Sequence, residues 1–83
     1  MKHLTVKGFW DLYRRLPKDI QTLADKNFDL LKTDPRHRSL RLKKVGDWYS
    51  VRVGAHHRAL ALVDQGALVW FWIGTHADYD ALL

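Results

Sequence analysis

The residues able to do chemistry fall into two groups in different parts of this 83-residue chain. Between positions 36 and 58 stand Arg36, Arg38, Arg41, Lys43, Lys44, Arg52 and Arg58 against Asp47 alone, a net charge of +6 in a chain whose total is +5. Guanidinium and ammonium groups at that density suit a polyanion gripped through its phosphates, without readout of base sequence. The plain alternative is a solvated strand face. Residues 59–83 hold three Asp and no Lys or Arg, and here His76 and Tyr79 stand three apart, so one helical turn brings both to the same side. An imidazole of ordinary pKa, about 6.5, can give or take a proton near neutrality. His76 comes just after Gly74, where an apolar run ends and a strand end can meet a cleft. Each has a structural alternative: His76 as a residue that caps or packs a helix, Tyr79 as one that packs onto a sheet. His56 and His57 sit at a turn before Arg58, where histidines are commonly surface residues; His57 is taken as the one that faces the basic groove.

What is missing narrows the chemistry. There is no cysteine, which removes disulfides, thiolate nucleophiles and Cys-ligated zinc or iron–sulfur sites together. All nine acidic residues are Asp, so no Glu is available as a base or metal ligand. The five histidines fit no ligand spacing such as H-E-x-x-H, and no metal and no cofactor is expected. The longest apolar run, Ala67–Ile73, is far below the roughly 20 residues of a membrane span. Residues 1–20 carry charges throughout and show no signal-peptide apolar segment, so the expectation is a cytoplasmic protein with no membrane contact.

The elements that must position these residues follow from periodicity. Lys2–Val6 alternates as a short strand, and Gly8 breaks it. Phe9, Leu12, Tyr13 and Leu16 then take helical spacing, and Pro17 ends or restarts the helix. Ile20, Leu23, Ala24 and Leu31 continue the stripe until Asp34-Pro35 stops it. From there the period becomes 2. Leu40, Leu42 and Lys44 alternate with Arg41, Lys43 and Val45 as a strand with a basic face, and Gly46-Asp47 turns into Trp48–Val53. Gly54-Ala55-His56 turns into His57–Val63, and Asp64-Gln65-Gly66 into Ala67–Ile73, with Trp70 and Trp72 on one face and Phe71 on the other. Ala77–Leu83 makes one or two terminal helical turns. With 47% hydrophobic residues including four Trp, residues 1–83 can fill one small dense core, so a single domain is expected. The order β-α-α-β-β-β-β predicts an α+β fold, with two N-terminal helices on one face of a mainly antiparallel sheet of four to five strands. Strand one could close beside the last strand.

The run Ser39-Leu-Arg-Leu-Lys-Lys-Val-Gly-Asp-Trp-Tyr-Ser-Val-Arg-Val-Gly-Ala-His-His-Arg-Ala-Leu-Ala-Leu-Val resembles the central signature of the RelE/ParE-family toxins of bacterial type II toxin–antitoxin systems. In that signature a leucine–basic–leucine strand leads to a tyrosine–x–hydrophobic–arginine strand, and a hairpin leads to an arginine opening an apolar strand, here Arg58. The ending Val69-Trp-Phe-Trp-Ile-Gly-Thr-His-Ala-Asp-Tyr-Asp-Ala-Leu is similar to the glycine–x–histidine–x–x–tyrosine close of many members.

The resemblance implies one of two activities. RelE-like members cleave mRNA in the ribosomal A site, using the substrate's 2′-hydroxyl as nucleophile. ParE-like members inhibit DNA gyrase and need no catalytic residues. A third outcome is an inactive member that only binds its antitoxin. A cognate antitoxin is implied in every case, with ribosome and mRNA, or gyrase, as target. His76 and Tyr79 favour the HigB/RelE-like branch, and with it a metal-independent endoribonuclease, an mRNA interferase. In that reading Arg58 matches the family's phosphate-stabilising arginine, the alternative being a sheet-surface arginine paired with an Asp. Arg52 takes a strand position that is often basic, and His76 the place of a general acid or base near Tyr79. Arg36, Arg38, Arg41, Lys43, Lys44 and His57 would grip RNA. Ser50 departs from the pattern: it falls where lysine-using members carry lysine, which argues against that version of the mechanism.

Overall fold

The switch from a 3.6-residue to a 2-residue period marks a real boundary between helices and sheet. In the computed structural model, which describes residues 2–82, β1 (Lys2–Thr5) leads into α1 (Lys7–Tyr13) and α2 (Lys18–Thr33). A 3₁₀ turn (Arg38–Leu40) is followed by β2 (Lys43–Val45), β3 (Trp48–Val53), β4 (His57–Asp64), β5 (Ala67–Thr75) and α3 (His76–Leu82). The strands form one sheet in the order β1-β5-β4-β3-β2, antiparallel except for β1, which runs parallel to β5 with Leu4 opposite Val69. This is the expected α+β architecture, with the first strand closing beside the last.

Local chemistry sets the breaks. Pro17 precedes α2 in extended backbone (φ −55°, ψ 151°), and it has no N–H to continue the preceding helix. Gln21 bridges the gap by donating its side-chain N–H groups to the carbonyls of Tyr13 and Leu16 at 3.2 and 3.0 Å, the first of which also accepts the Leu16 backbone N–H. Asp34, before Pro35, leaves the helical region (φ −146°, ψ 75°) and ends α2. At the β3–β4 turn Gly54 takes φ +65°, a left-handed conformation that favours glycine, and the Leu23 side chain of α2 packs over it.

One face of the sheet carries the core. Val51, Val53, Ala59, Ala61, Leu68, Trp70 and Ile73 pack against Ala24 and Leu31 of α2, with Phe9, Leu12 and Phe28 around them. Each fully buried Val, Leu or Ile among these contributes about 1.5–3 kcal/mol. Two expectations fail here. Leu40 does not open a strand: it is fully buried at the end of the 3₁₀ turn, Arg41 takes a left-handed conformation (φ 45°), and strand pairing begins only at Lys43. Nor do Trp70 and Trp72 share a face. The register shifts between Leu60 and Ala61, so Trp70 pairs with Ala61 and Trp72 with Leu60, two neighbours that point to opposite sides. The extra residue is Phe71, a β-bulge that alternation alone does not reveal.

β1 is tied to the core through His3, whose Nδ1 accepts the Trp70 indole N–H at 3.1 Å. Burial holds the His3 pKa below its ordinary value, and Lys32 pushes the same way. The folded state therefore favours the neutral ring, and stability from this group is complete above the unfolded pKa of about 6.5 and lost as pH falls through the depressed folded value. On moving from pH 8 to pH 5 the wild type is expected to lose more thermal stability than His3→Gln, which keeps an acceptor but cannot titrate. Equal losses in the two proteins, followed by circular dichroism, would contradict this.

Candidate active site

The face of the sheet away from α1 and α2 holds Arg58 on the middle strand, one residue in from the start of β4. Register places Arg58 opposite Arg52 on β3 and Gly74 on β5, with Ser50 diagonal to it on the same face. Arg58 is only 5% exposed, and Ser50 is fully buried. The Arg58 Nε–H donates to Ser50 Oγ at 2.6 Å, and Nη2 donates to the carbonyl of Arg41 at 3.3 Å. The left-handed backbone of Arg41, unusual for a residue with a Cβ, thus places a carbonyl on the guanidinium. Burial lowers the Arg58 pKa from its ordinary value, with the charges of Arg52 and Arg41 adding to the effect and Tyr79 opposing it. Arginine starts so high that the group remains a cation at any working pH. The fork is desolvated and fixed on two oxygens, and it has further N–H groups that these two bonds do not use.

α3 brings the second group to this spot. It begins directly at the end of β5, and the His76 backbone N–H donates to the carbonyl of His56 at 2.7 Å, pinning the start of α3 to the turn before Arg58. Thr75 Oγ1 accepts the Asp78 N–H at 3.1 Å and caps the first turn. Tyr79 is 3% exposed and stands between the two candidate groups, its ring centre 5.3 Å from the Arg58 guanidinium carbon and 5.5 Å from the His76 ring centre. His76 itself is exposed, and its Nδ1 lies 3.1 Å from Asp80 Oδ2. An ionised carboxylate only accepts, so in this pairing Nδ1 donates and Nε2 has no partner among the described residues. Gly74 lies beside this cluster with the Trp72 ring folded over it, so that a Cβ there would displace the ring.

Arg58, Tyr79 and His76 are thus brought together, and the remaining sequence candidates scatter around them. Arg52 is the cross-strand neighbour of Arg58, but its Nε turns back to the Gly54 carbonyl at 2.7 Å. Lys43 sits opposite Ser50 on the Arg58 face, whereas Lys44 pairs with Tyr49 on the helix side. Arg36, Arg38 and Arg41 are exposed along the loop and 3₁₀ turn. His57 pairs with Val53 and Thr75, so it points to the face opposite Arg58, and its buried Nδ1 has no partner among the described residues. The sequence reading missed two contributors, the Ser50 hydroxyl and the Arg41 carbonyl. The first was within reach of register arithmetic: a hairpin pairing Arg52 with Arg58 sets Ser50 diagonal to Arg58. The second depends on a left-handed residue and had no sequence signal.

Removing the Ser50 hydroxyl isolates a buried donor. Ser50→Ala is expected to cost about 1–3 kcal/mol in urea unfolding, because the Arg58 Nε–H then has no acceptor. A cost below the error of the measurement would show that Arg58 finds another partner.

Residues 18–81 match the model of the ParE-like toxin domain. The chain belongs to that family. No curated protein sequence matches it, so structural likeness carries the rest. The toxin fold of RelE in the RelB-RelE antitoxin-toxin complex from Methanococcus jannaschii is similar with a TM-score of 0.74 at 18% identity, covering 96% of this chain and 99% of that one. YafQ from E. coli gives 0.75 at 12% identity, covering 94% and 96%. The YoeB/ParE toxin from Agrobacterium tumefaciens gives 0.70 at 19%, covering 92% and 99%. At these identities the likeness is one of fold. Among the described residues no helix is long and apolar enough to cross a membrane, and no group of His and Asp side chains could hold a metal ion.

Proposed function

We propose that this toxin is a ribosome-dependent mRNA endonuclease, acting in the cytoplasm as a single domain and neutralised by a protein antitoxin. The observation that carries the reading is the Arg58–Tyr79–His76 cluster, in which a buried guanidinium and an outward-facing imidazole flank one aromatic ring. In the reaction the substrate's 2′-hydroxyl attacks the adjacent phosphorus, the bond to the 5′-oxygen breaks, and the products are a 2′,3′-cyclic phosphate and a free 5′-hydroxyl. One proton leaves the nucleophile and one reaches the leaving oxygen. His76 Nε2 performs one of these transfers. Arg58 stabilises the charge that builds on the non-bridging oxygens, where a preplaced cation is worth most. Exposed Arg36, Arg38, Arg41 and Lys43 hold the ribosomal and messenger strands through phosphates.

A second reading has its own observation in favour. Ser50, buried under Arg58, leaves that position without a cation of its own, and a non-catalytic gyrase inhibitor needs none. Inducing the protein in cells separates the two. Endonuclease activity stops translation while plasmid supercoiling is unchanged; loss of supercoiling with translation continuing supports gyrase instead. Under the endonuclease reading His76→Ala lowers cleavage by about 10²–10⁴-fold, the usual worth of a positioned proton-transfer group. Because His76 is exposed, the far-UV spectrum should not change. Undiminished cleavage by His76→Ala would remove it from the mechanism.

A further inference from the structure

Underneath α1 the core does not close. No residue of this short helix is fully buried, although Phe9, Trp10 and Tyr13 all line the space between it and the sheet. A cavity of about 70 Å³ remains there, part-open to solvent, with Phe28 of α2 and Ala59 and Trp70 of the sheet among its apolar walls. Trp10 and Asp25, both exposed, mark the open side. The Trp10 and Tyr13 rings meet there at 78°, their centres 5.1 Å apart, and make a corner of two aromatic faces. Both rings have spent their donors. The Tyr13 hydroxyl donates to Asp25 Oδ1 at 2.7 Å, and the Trp10 indole N–H donates to Thr5 Oγ1 at 2.9 Å. Burial raises the Tyr13 pKa, and the Asp25 carboxylate adds to the effect, so the hydroxyl stays a donor. Asp25 Oδ2 has no partner among the described residues, and no cationic side chain pairs with this carboxylate in a chain of net charge +5.

We propose that this cavity binds a small primary alkylammonium ion, its head held by Trp10, Tyr13 and Asp25 and its tail laid against Ala59 and Trp70. The head follows from the corner. Two aromatic faces attract a cation, and an unpaired carboxylate oxygen accepts a charge-assisted hydrogen bond from it. An anion of the same shape would meet the Asp25 charge with no cation to offset it. The tail follows from the walls and the volume. The cavity's 70 Å³ is about half the roughly 150 Å³ that accommodates a benzene ring, so it takes a linear chain of about four carbons. Each methylene buried there contributes about fourfold in affinity. A second charge at the far end of the chain would be carried into the apolar part, where nothing solvates it. The site is separate from the cluster around Arg58. Ala59 follows Arg58 on β4 and points to the opposite face, so the inference is independent of the endonuclease reading. An ion seated there touches α1, α2 and the sheet together, and it ties down the least buried helix of the core.

The test titrates the full chain with n-butylammonium chloride at constant ionic strength and neutral pH, followed by proton–nitrogen correlation NMR. The Trp10 indole signal, assigned by its loss in Trp10→Phe, should shift and saturate. Methylammonium, three methylenes shorter, should bind about 50-fold more weakly. Sodium butyrate should not bind, and 1,4-diaminobutane should bind more weakly than butylammonium. Asp25→Asn keeps an acceptor for Tyr13 and removes the charge at an exposed position, so affinity for butylammonium should fall about tenfold or more. Ala59→Val fills the cavity from its floor and should abolish binding. Asp25→Asn decides the outcome alone if Ala59→Val fails to fold. No saturable shift of the Trp10 signal in the wild type would overturn the proposal. Equal affinity for methylammonium and butylammonium would do the same, since it would show attraction to surface charge alone. So would binding of butyrate as tight as that of butylammonium, wild-type affinity in Asp25→Asn, or butylammonium binding by a folded Ala59→Val.

Discussion

Replacing Arg58 with alanine is expected to slow mRNA cleavage by about 10²–10³-fold, the loss seen when one preorganised charge-stabilising donor is removed. The guanidinium sits 5% exposed with Nε on Ser50 Oγ and Nη2 on the Arg41 carbonyl, so no other side chain occupies its place. The loss should fall on the chemical step, read by single-turnover cleavage at saturating toxin. Arg58→Lys is the sharper comparison. Its ammonium keeps the charge but has no planar fork to span two oxygens and a phosphate, so activity should lie between alanine and wild type. Arg58→Ala leaves Ser50 Oγ without its donor, and folding of both variants is verified by near-UV circular dichroism. A folded Arg58→Ala that cuts at the wild-type rate would remove phosphate stabilisation from this residue.

Trp70→Ala should be the most damaging change to stability, at about 3–5 kcal/mol for the loss of a buried tryptophan. A domain of this size holds only about 4–12 kcal/mol in total. Trp70 is 2% exposed, anchors β1 through its N–H to His3, and belongs to the cluster that joins α2 to the sheet. A fall in Tm of more than about 12 °C is expected, at roughly 4–8 °C per kcal/mol. Trp72, half-buried on the opposite face, should cost less when truncated. Equal losses at the two positions would mean that the bulge does not separate them as described.

Much of this molecule was legible from spacing. The period change near Pro35 divided helices from sheet, and the turns at Gly46, Gly54 and Gly66, all at positive φ, set the antiparallel strands. The Arg58 and His76 segments were also recognisable, because a hairpin arginine and a histidine after a strand-ending glycine have distinct sequence contexts. What escaped was non-local or irregular. Leu40 alternates like a strand residue, yet it is buried at the end of a 3₁₀ turn, and Arg41 follows it at φ 45°. The Phe71 bulge has no signature in an all-apolar run, where plain alternation puts Trp70 and Trp72 on one face. His57 and Arg58 are neighbours in sequence, and strand alternation sends them to opposite sides. Ser50 read as the absence of a lysine; its role as the acceptor that fixes Arg58 emerged only from the pairing of β3 with β4.

The most direct test of the endonuclease assignment is to map mRNA 5′ ends in a purified translation system containing the wild type or Arg58→Ala. The prediction is a set of new 5′-hydroxyl ends inside the codon held in the A site, absent when ribosomes are omitted and strongly reduced with Arg58→Ala. Intact mRNA in the presence of folded, toxic wild-type protein would contradict the assignment.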